Sequence, residues 1–380
     1  MQNPFRYGSK VTGGSFYDRR EIKASMLNVI DGCNNIVLYG PRRYGKSSLV
    51  AEIIDGLVQE GVICIYINMM DVASLSDFIT GYSRLVAAKT APVASTLKRL
   101  AGMFGRIRPV LGVGDNGKIE ISLTFASSKP GVAELREALE LPEVLRPKGK
   151  RMLIVIDEFQ EVADLGLGSG FERVMRSVIE NHSEISYVFL GSKTHMLKRM
   201  FAKPSHPFYR SAQSFSLSLP PADESRLFLI ERFASVRIKL SNAIAEKMTE
   251  LAGNVPYYLQ ALGSWVFRSV SERNGREVAE SDVEDGYSRM YDAERDLCEG
   301  LFRQMPESQR LVVRALAAEP TGVFTADYRE RHFLPTLSTV STAVRRLVDS
   351  SQIDSFDGVY RIIDPIFAYH LRRGIASEPK

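Results

Sequence analysis

The stretch that most restricts this chain is "GPRRYGKSSL", Gly40 to Leu49, which follows directly on the apolar run "NNIVLY". Two glycines bracket four residues, and a Lys-Ser pair comes next. This fits G-x-x-x-x-G-K-[ST] with Gly40, Gly45, Lys46 and Ser47 in the fixed places. A buried strand must therefore end, turn sharply and enter a helix within ten residues. Gly45 can take backbone angles that a side chain forbids. Successive main-chain N–H groups of Gly40, Pro41, Arg42, Arg43, Tyr44, Gly45, Lys46, Ser47 and Ser48 (Pro41 supplying none) then line a concavity suited to phosphate oxygens. The positive end of the following helix points at the same spot. Lys46 is placed to reach the outer phosphates and the Ser47 hydroxyl to ligate Mg²⁺.

A second element belongs with the first. "RMLIVIDEF" puts Asp157 and Glu158 at the end of an all-apolar strand. Two acids there are costly to bury without a positive partner, and a Mg²⁺ shared with Ser47 supplies one. Asp157 is the expected metal residue, and Glu158 the residue that polarises an attacking water. Ser192 ends the next apolar run, "YVFLGS", with Lys193 and Thr194 beside it, so it is expected near the γ-phosphate. Arg210, in "PFYRSAQSFSLSLP", can reach a γ-phosphate in its own subunit or in a neighbour.

Short apolar runs predict strands over Ile36–Tyr39, Val62–Asn68, Met152–Asp157, Tyr187–Gly191 and Ser214–Leu219. Helical patterns alternate with them, as at 48–60 and 171–181. That alternation argues for a parallel sheet sandwiched by helices. "RPVLGVGDNGKIEISLTF" alternates on both sides of Asp115-Asn116-Gly117 and predicts a hairpin inserted within residues 90–150. From Ala222 to about Leu301 the chain looks helical, with Asp223 as a cap and Gly253 as a stop. The last ~75 residues give two helices and a short hairpin around Asp357-Gly358, the pattern of a winged helix-turn-helix.

Composition sets the outer limits. The chain has 380 residues, more than one core usually holds, so two or three domains are expected. At 44% hydrophobic and 25% charged it is ordinary for a globular protein. A net charge of +4 permits contact with nucleic acid without demanding it. Three widely spaced cysteines (Cys33, Cys64, Cys298) suit a reduced, cytoplasmic setting. No apolar run approaches the ~20 residues that cross a bilayer, so no membrane role is expected.

"NIVLYGPRRYGKSSL", "LIVIDEFQEV", "FLGS", "PFYRSAQSFSLSLP", "GNVPYYLQ" and "STVSTAVRRLVDSSQI" occur in an order that resembles the archaeal-ATPase branch of the STAND class of AAA+-related P-loop ATPases. The first two stretches are Walker A and Walker B patterns. The resemblance implies an AAA+-like three-layer α/β core with a parallel sheet (1–220), a helical lid (221–300) and a winged-helix domain (301–380). It implies ATP/ADP and Mg²⁺ as cofactors, and a switch that hydrolyses ATP slowly. It also implies that Pro256 packs on the adenine, with Arg19 or Arg20 bordering the base. The long regulatory repeats and separate effector domain of larger STAND proteins are missing, so output is expected through self-association, a partner protein or the winged helix. Ser338, Thr339, Ser341, Thr342, Arg345 and Arg346 are the winged-helix residues suited to double-stranded DNA. Against DNA stands the balance of charge, nine basic against eight acidic residues over 304–373. The alternatives are a nucleotide-dependent DNA-binding protein that resembles replication initiators in its order of core, lid and winged helix, and a scaffold that binds nucleotide without turnover.

Overall fold

A computed structural model describes residues 2–8, 19–90, 107–113, 119–125, 131–165, 169–356 and 358–377. The turn expected at Asp115-Asn116-Gly117 and the residue Asp357 lie outside them. The chain forms two compact units: Arg20–Tyr39 with Leu49–Ser216, and Met1–Arg19 with Gly40–Ser48 and Leu217–Lys380.

The first unit is built on a five-stranded parallel sheet. Its strands are β1 (Ile36–Tyr39), β2 (Ile63–Asn68), β5 (Met152–Asp157), β6 (Ile185–Gly191) and β7 (Gln213–Ser216), in the order β2-β5-β6-β1-β7. Every residue of β5 and β6 is buried, as expected for strands covered on both faces. Helices α1 (Arg20–Asp31), α3 (Leu75–Thr90), α4 (Val132–Leu145), α5 (Ser169–Ile179) and α6 (Thr194–Ala202) belong to this unit. Helix α2 (Lys46–Gln59) opens on the loop after β1. The antiparallel hairpin β3 (Ile107–Val113) and β4 (Ile119–Phe125) interrupts the alternation, between α3 and α4.

The fifth strand is shorter than "SFSLSL" predicts. It pairs with β1 from Ile36↔Gln213 to Tyr39↔Ser216. Beyond Tyr39 the partner turns into a loop, so Leu217 has nothing to pair with in the sheet.

Phe159, Phe189, Phe201 and Phe208 pack ring to ring, with centroids 4.6 Å apart for Phe159–Phe189 and 5.2 Å for Phe159–Phe208. They fasten the short 3₁₀ turn after β5 (Phe159–Asp164) to β6, and this fixes the backbone of the preceding Glu158.

The second unit is helical. Its first part, expected as a lid, contains α7 (Ala222–Ser235), α8 (Asn242–Leu251), α9 (Pro256–Glu272) and α10 (Glu280–Gln304). The expected cap Asp223 is not the N-cap of α7. Pro221 takes that position without a side-chain bond, and Asp223 sits in the first turn, where its charge still favours the helix N-terminus. Gly253 ends α8 as expected, its N–H donating to the Glu250 carbonyl at 2.9 Å. The N-terminal segment is sewn onto α9 and α7: Asn3 Nδ2 donates to Ser264 Oγ at 2.9 Å and the Arg6 N–H to Gln260 Oε1 at 3.0 Å, both on α9, and the Phe5 ring lies 5.0 Å from Phe233 of α7.

The C-terminal part has α11 (Glu307–Ala318), α12 (Ala326–Arg331), α13 (Leu337–Asp349), the hairpin β8 (Ile353–Phe356) and β9 (Val359–Ile362), and a last helix α14 (Pro365–Ser377). Val340, Ala343, Val344 and Leu347 form the buried stripe of α13 at helical spacing. Lid and C-terminal helices share one hydrophobic cluster that runs from Phe5 through Leu262 and Met290 to Leu347 and Leu371.

Candidate phosphate loop and acidic strand end

The loop after β1 has the form its composition requires. A Cβ on Gly40 would stand 2.6 Å from the Leu217 carbonyl oxygen, closer than backbone tolerates. Gly45 has φ +90°, a region open to glycine. Arg43 is also left-handed, at φ +70°. Lys46 is buried, and its ammonium donates to the carbonyls of Gly40 at 2.7 Å and Pro41 at 2.8 Å. It thereby braces the turn from within. Ser47 and Ser48 occupy the first turn of α2. Arg42 is exposed.

Around this loop the second unit supplies aromatic and charged neighbours. The Arg43 guanidinium lies over the rings of Tyr257 at 4.7 Å and Tyr258 at 4.8 Å, and its Nη1 donates to Asp364 Oδ2 at 2.9 Å. Pro256 is the first residue of α9, next to Tyr257. Arg19 donates to the Tyr44 carbonyl at 3.4 Å, and Arg20 begins α1. Burial, helped by nearby Asp354, pushes the Tyr44 hydroxyl up to about 12.

In the first unit, Tyr39, Asp157 and Gly191 all stand at the carboxyl ends of parallel strands, Tyr39 opposite Gly191 in register. This is the edge at which open α/β sheets bind ligands. Asp157 is buried; its Oδ1 accepts the Glu158 N–H at 2.9 Å and its Oδ2 accepts the Tyr66 hydroxyl. Glu158 has φ +50° and ψ +44°, an uncommon conformation for a side-chain-bearing residue. It turns the carboxylate toward the end of β6. There three donors meet on its Oε2: Ser192 Oγ at 3.0 Å, the Ser192 N–H at 3.1 Å and Gln160 Nε2 at 2.5 Å. Lys193 is paired with Glu161 at 2.8 Å, and Thr194 opens α6. Arg210, with φ +53°, is exposed, its guanidinium 5.2 Å from the Tyr209 ring.

The structure thus brings Glu158 together with Ser192, and Arg43 together with the residues beside Pro256. Arg210 keeps company with its own neighbour. Four participants were not anticipated. Tyr66 lies in no motif stretch, and Gln160 lies within "LIVIDEFQEV" without a role assigned to it there. Tyr257 and Tyr258 follow Pro256 directly, and a pair of aromatics at a helix start was the available signal.

Asp157 in the first unit and Ser47 in the second each carry an oxygen of the kind hard divalent cations take as a ligand. Among the described residues no group of three or more His, Cys, Asp or Glu can hold a metal alone.

The pattern of an ATPase domain found predominantly in Archaea matches residues 16–262, and that of a probable winged helix domain matches residues 297–373. The chain belongs to this ATPase domain family and has the AAA+-like P-loop ATPase fold, with a C-terminal winged helix. It is 22% identical over 370 residues to an uncharacterized ATP-binding protein of Pyrococcus abyssi, covering 88% of this chain and 99% of that one. Its fold resembles the Walker-type ATPase PABY2304 of Pyrococcus abyssi, with a TM-score of 0.68 at 19% identity over 97% of this chain and 99% of the other. It also resembles the ORC2 protein of Aeropyrum pernix, solved as ADPNP–ADP complexes, with a TM-score of 0.57 at 13% identity over 94% and 95%. No described helix is long and apolar enough to cross a membrane.

Proposed function

We propose that this protein binds ATP with Mg²⁺, hydrolyses it slowly, and uses the nucleotide state to set the position of its lid and winged helix. The loop amides and Lys46 hold the phosphates, Ser47 and Asp157 hold the metal, and Pro256 lies against the base. A bound Mg²⁺ would neutralise charge on the phosphate oxygens. The attacking water oxygen bonds to the γ-phosphorus while the bond to the β–γ bridging oxygen breaks. ADP leaves with the electron pair, and the water proton passes to Glu158.

The observation that carries this reading is the convergence of Ser192 and Gln160 on Glu158 Oε2. These bonds hold the carboxylate in one direction at the strand end, the fixed placement that a positioned base needs. An oxygen so engaged is a weak proton acceptor. Glu158 therefore acts through its other oxygen, or after Ser192 turns to the γ-phosphate, which suits slow turnover. Arg210 is exposed and so is available to a neighbouring subunit's nucleotide. Phosphate release by wild type and Glu158→Gln tests the assignment. Wild type should turn over and the variant should bind ATP without doing so; equal rates would remove Glu158 from the reaction.

A second reading, nucleotide-dependent binding of duplex DNA, is favoured by one feature. Ser338, Thr339, Ser341, Arg345 and Arg346 are all exposed on α13, opposite its buried stripe. A gel shift with duplex DNA at low and high salt, with and without ATP, tests it. A shift that weakens with salt supports this reading; no shift at low salt removes it.

A further inference from the structure

Two neighbouring side chains of the phosphate-loop motif, Arg43 and Tyr44, have partners that the motif does not explain. In G-x-x-x-x-G-K-[ST] the phosphates are met by main-chain N–H groups and the lysine. The side chains at the variable positions are left for other work.

Arg43 is held on three sides. Tyr257 and Tyr258 offer their ring faces, and Asp364 accepts from Nη1 at 2.9 Å. Its own carbonyl accepts the Tyr257 N–H at 3.4 Å. Asp364 divides its carboxylate between two tasks. Oδ2 takes Arg43, while Oδ1 accepts the N–H groups of Ile366 at 2.9 Å and Phe367 at 3.1 Å and so caps α14. Glu294 of α10 also feels the Arg43 charge, and burial beside Asp364 raises its carboxyl above the usual range. One step along, Tyr44 feels Asp354 of β8 and Arg361 of β9, which face each other in the hairpin. The loop therefore contacts α9 at Tyr257 and Tyr258 and the cap of the last helix at Asp364, and Tyr44 lies within electrostatic reach of β8 and β9.

We propose that Arg43 and Asp364 form a latch by which the phosphate loop holds the winged helix, so that winged-helix docking and nucleotide binding are coupled through this pair. The coupling half rests on the ATP-binding reading above; the latch itself does not. Arg43's left-handed backbone aims its side chain away from a regular turn, and any change of loop conformation there redirects the guanidinium. The pair is a modest one, because 38% of the Arg43 side chain and 28% of the Asp364 side chain remain accessible to solvent. A latch must open, and a pair of this strength can.

The test is hydrogen–deuterium exchange of the full chain without nucleotide, for wild type, Arg43→Gln, Asp364→Asn and the double variant. Asparagine is as good a helix cap as aspartate, so Asp364→Asn removes the charge and leaves the cap. Exchange in residues 365–377 should rise about three- to tenfold in each single variant, with the double variant no faster than either. Unchanged exchange, or effects that simply multiply in the double variant, would overturn the latch. Calorimetric titration of ADP with Mg²⁺ into wild type and Asp364→Asn tests the coupling. An affinity shift of about threefold or more supports it, and equal affinities overturn it. If wild type takes up no ADP, the coupling and the ATP-binding reading fall together, while the exchange result still decides the latch.

Discussion

Ser192 Oγ donates to Glu158 Oε2 at 3.0 Å, and the Ser192 N–H donates to the same oxygen at 3.1 Å. One residue thus restrains the expected base twice, from the end of the neighbouring strand. Ser192→Ala removes one of the two bonds and keeps the other. Single-turnover hydrolysis should change by roughly tenfold, with ATP affinity within about threefold of wild type. A rate identical to wild type would show that the hydroxyl has no part in the chemistry.

Glu158→Gln keeps the size of the side chain and removes its charge. Turnover should fall by at least about a hundredfold with nucleotide binding retained. The amide can still accept the Ser192 bonds through its oxygen, so loss of fold is not the expected route. Thermal unfolding of the variant without nucleotide, close to that of wild type, checks this.

Tyr66→Phe deletes the hydroxyl that Asp157 Oδ2 accepts. Asp157 is buried, so the lost partner should cost about 1–3 kcal/mol in a denaturant titration. Asp157 should also be less well positioned, seen as a higher Mg²⁺ concentration for half-maximal ATP hydrolysis.

Gly40→Ala should be more harmful than its size suggests. The added methyl would sit 2.6 Å from the Leu217 carbonyl oxygen, and backbone cannot yield as a flexible side chain can. A loss of about 1–3 kcal/mol is expected, with weaker nucleotide binding because the loop is displaced. Wild-type stability in the variant would contradict this packing.

Acid should weaken the sheet unit through His182. Its Nδ1 lies 2.9 Å from the Tyr187 hydroxyl, and burial pulls its pKa below 6.5, Glu143 opposing and Arg146 assisting. The unfolded chain then takes up a proton that the folded chain resists. Stability is therefore full above pH 6.5, falls as pH drops toward the depressed folded value, and levels off below it. His370, lowered by burial and Arg373, acts with the same sign. Chemical denaturation from about pH 7 to pH 5 should show a shallower slope in His182→Gln than in wild type.

How much could be read in advance depended on whether the information was local. β1 was expected and found at Ile36–Tyr39, and β5 at Met152–Asp157, because each is an unbroken apolar run that ends against a glycine or an acid. The turn of the loop was legible for a similar reason: the glycine spacing sets its backbone, with Gly45 at φ +90°. Tyr66 was not, because its reach to Asp157 depends on β2 pairing with β5 in a register where Tyr66 faces Val155. Nor was the Arg43–Asp364 pair, whose members lie 321 positions apart. Helix α14 was missed although Asp364-Pro365 is a fair start signal, an acid cap followed by proline in the first turn.

The proposed switch requires a loop that takes up a nucleoside triphosphate. Calorimetric titration of a slowly hydrolysed ATP analogue with Mg²⁺, into wild type and Lys46→Ala, tests that most directly. Saturable heat at about one nucleotide per chain in wild type, lost in the variant, is the expected result. No heat in wild type at millimolar analogue, or equal heat in both proteins, would contradict it.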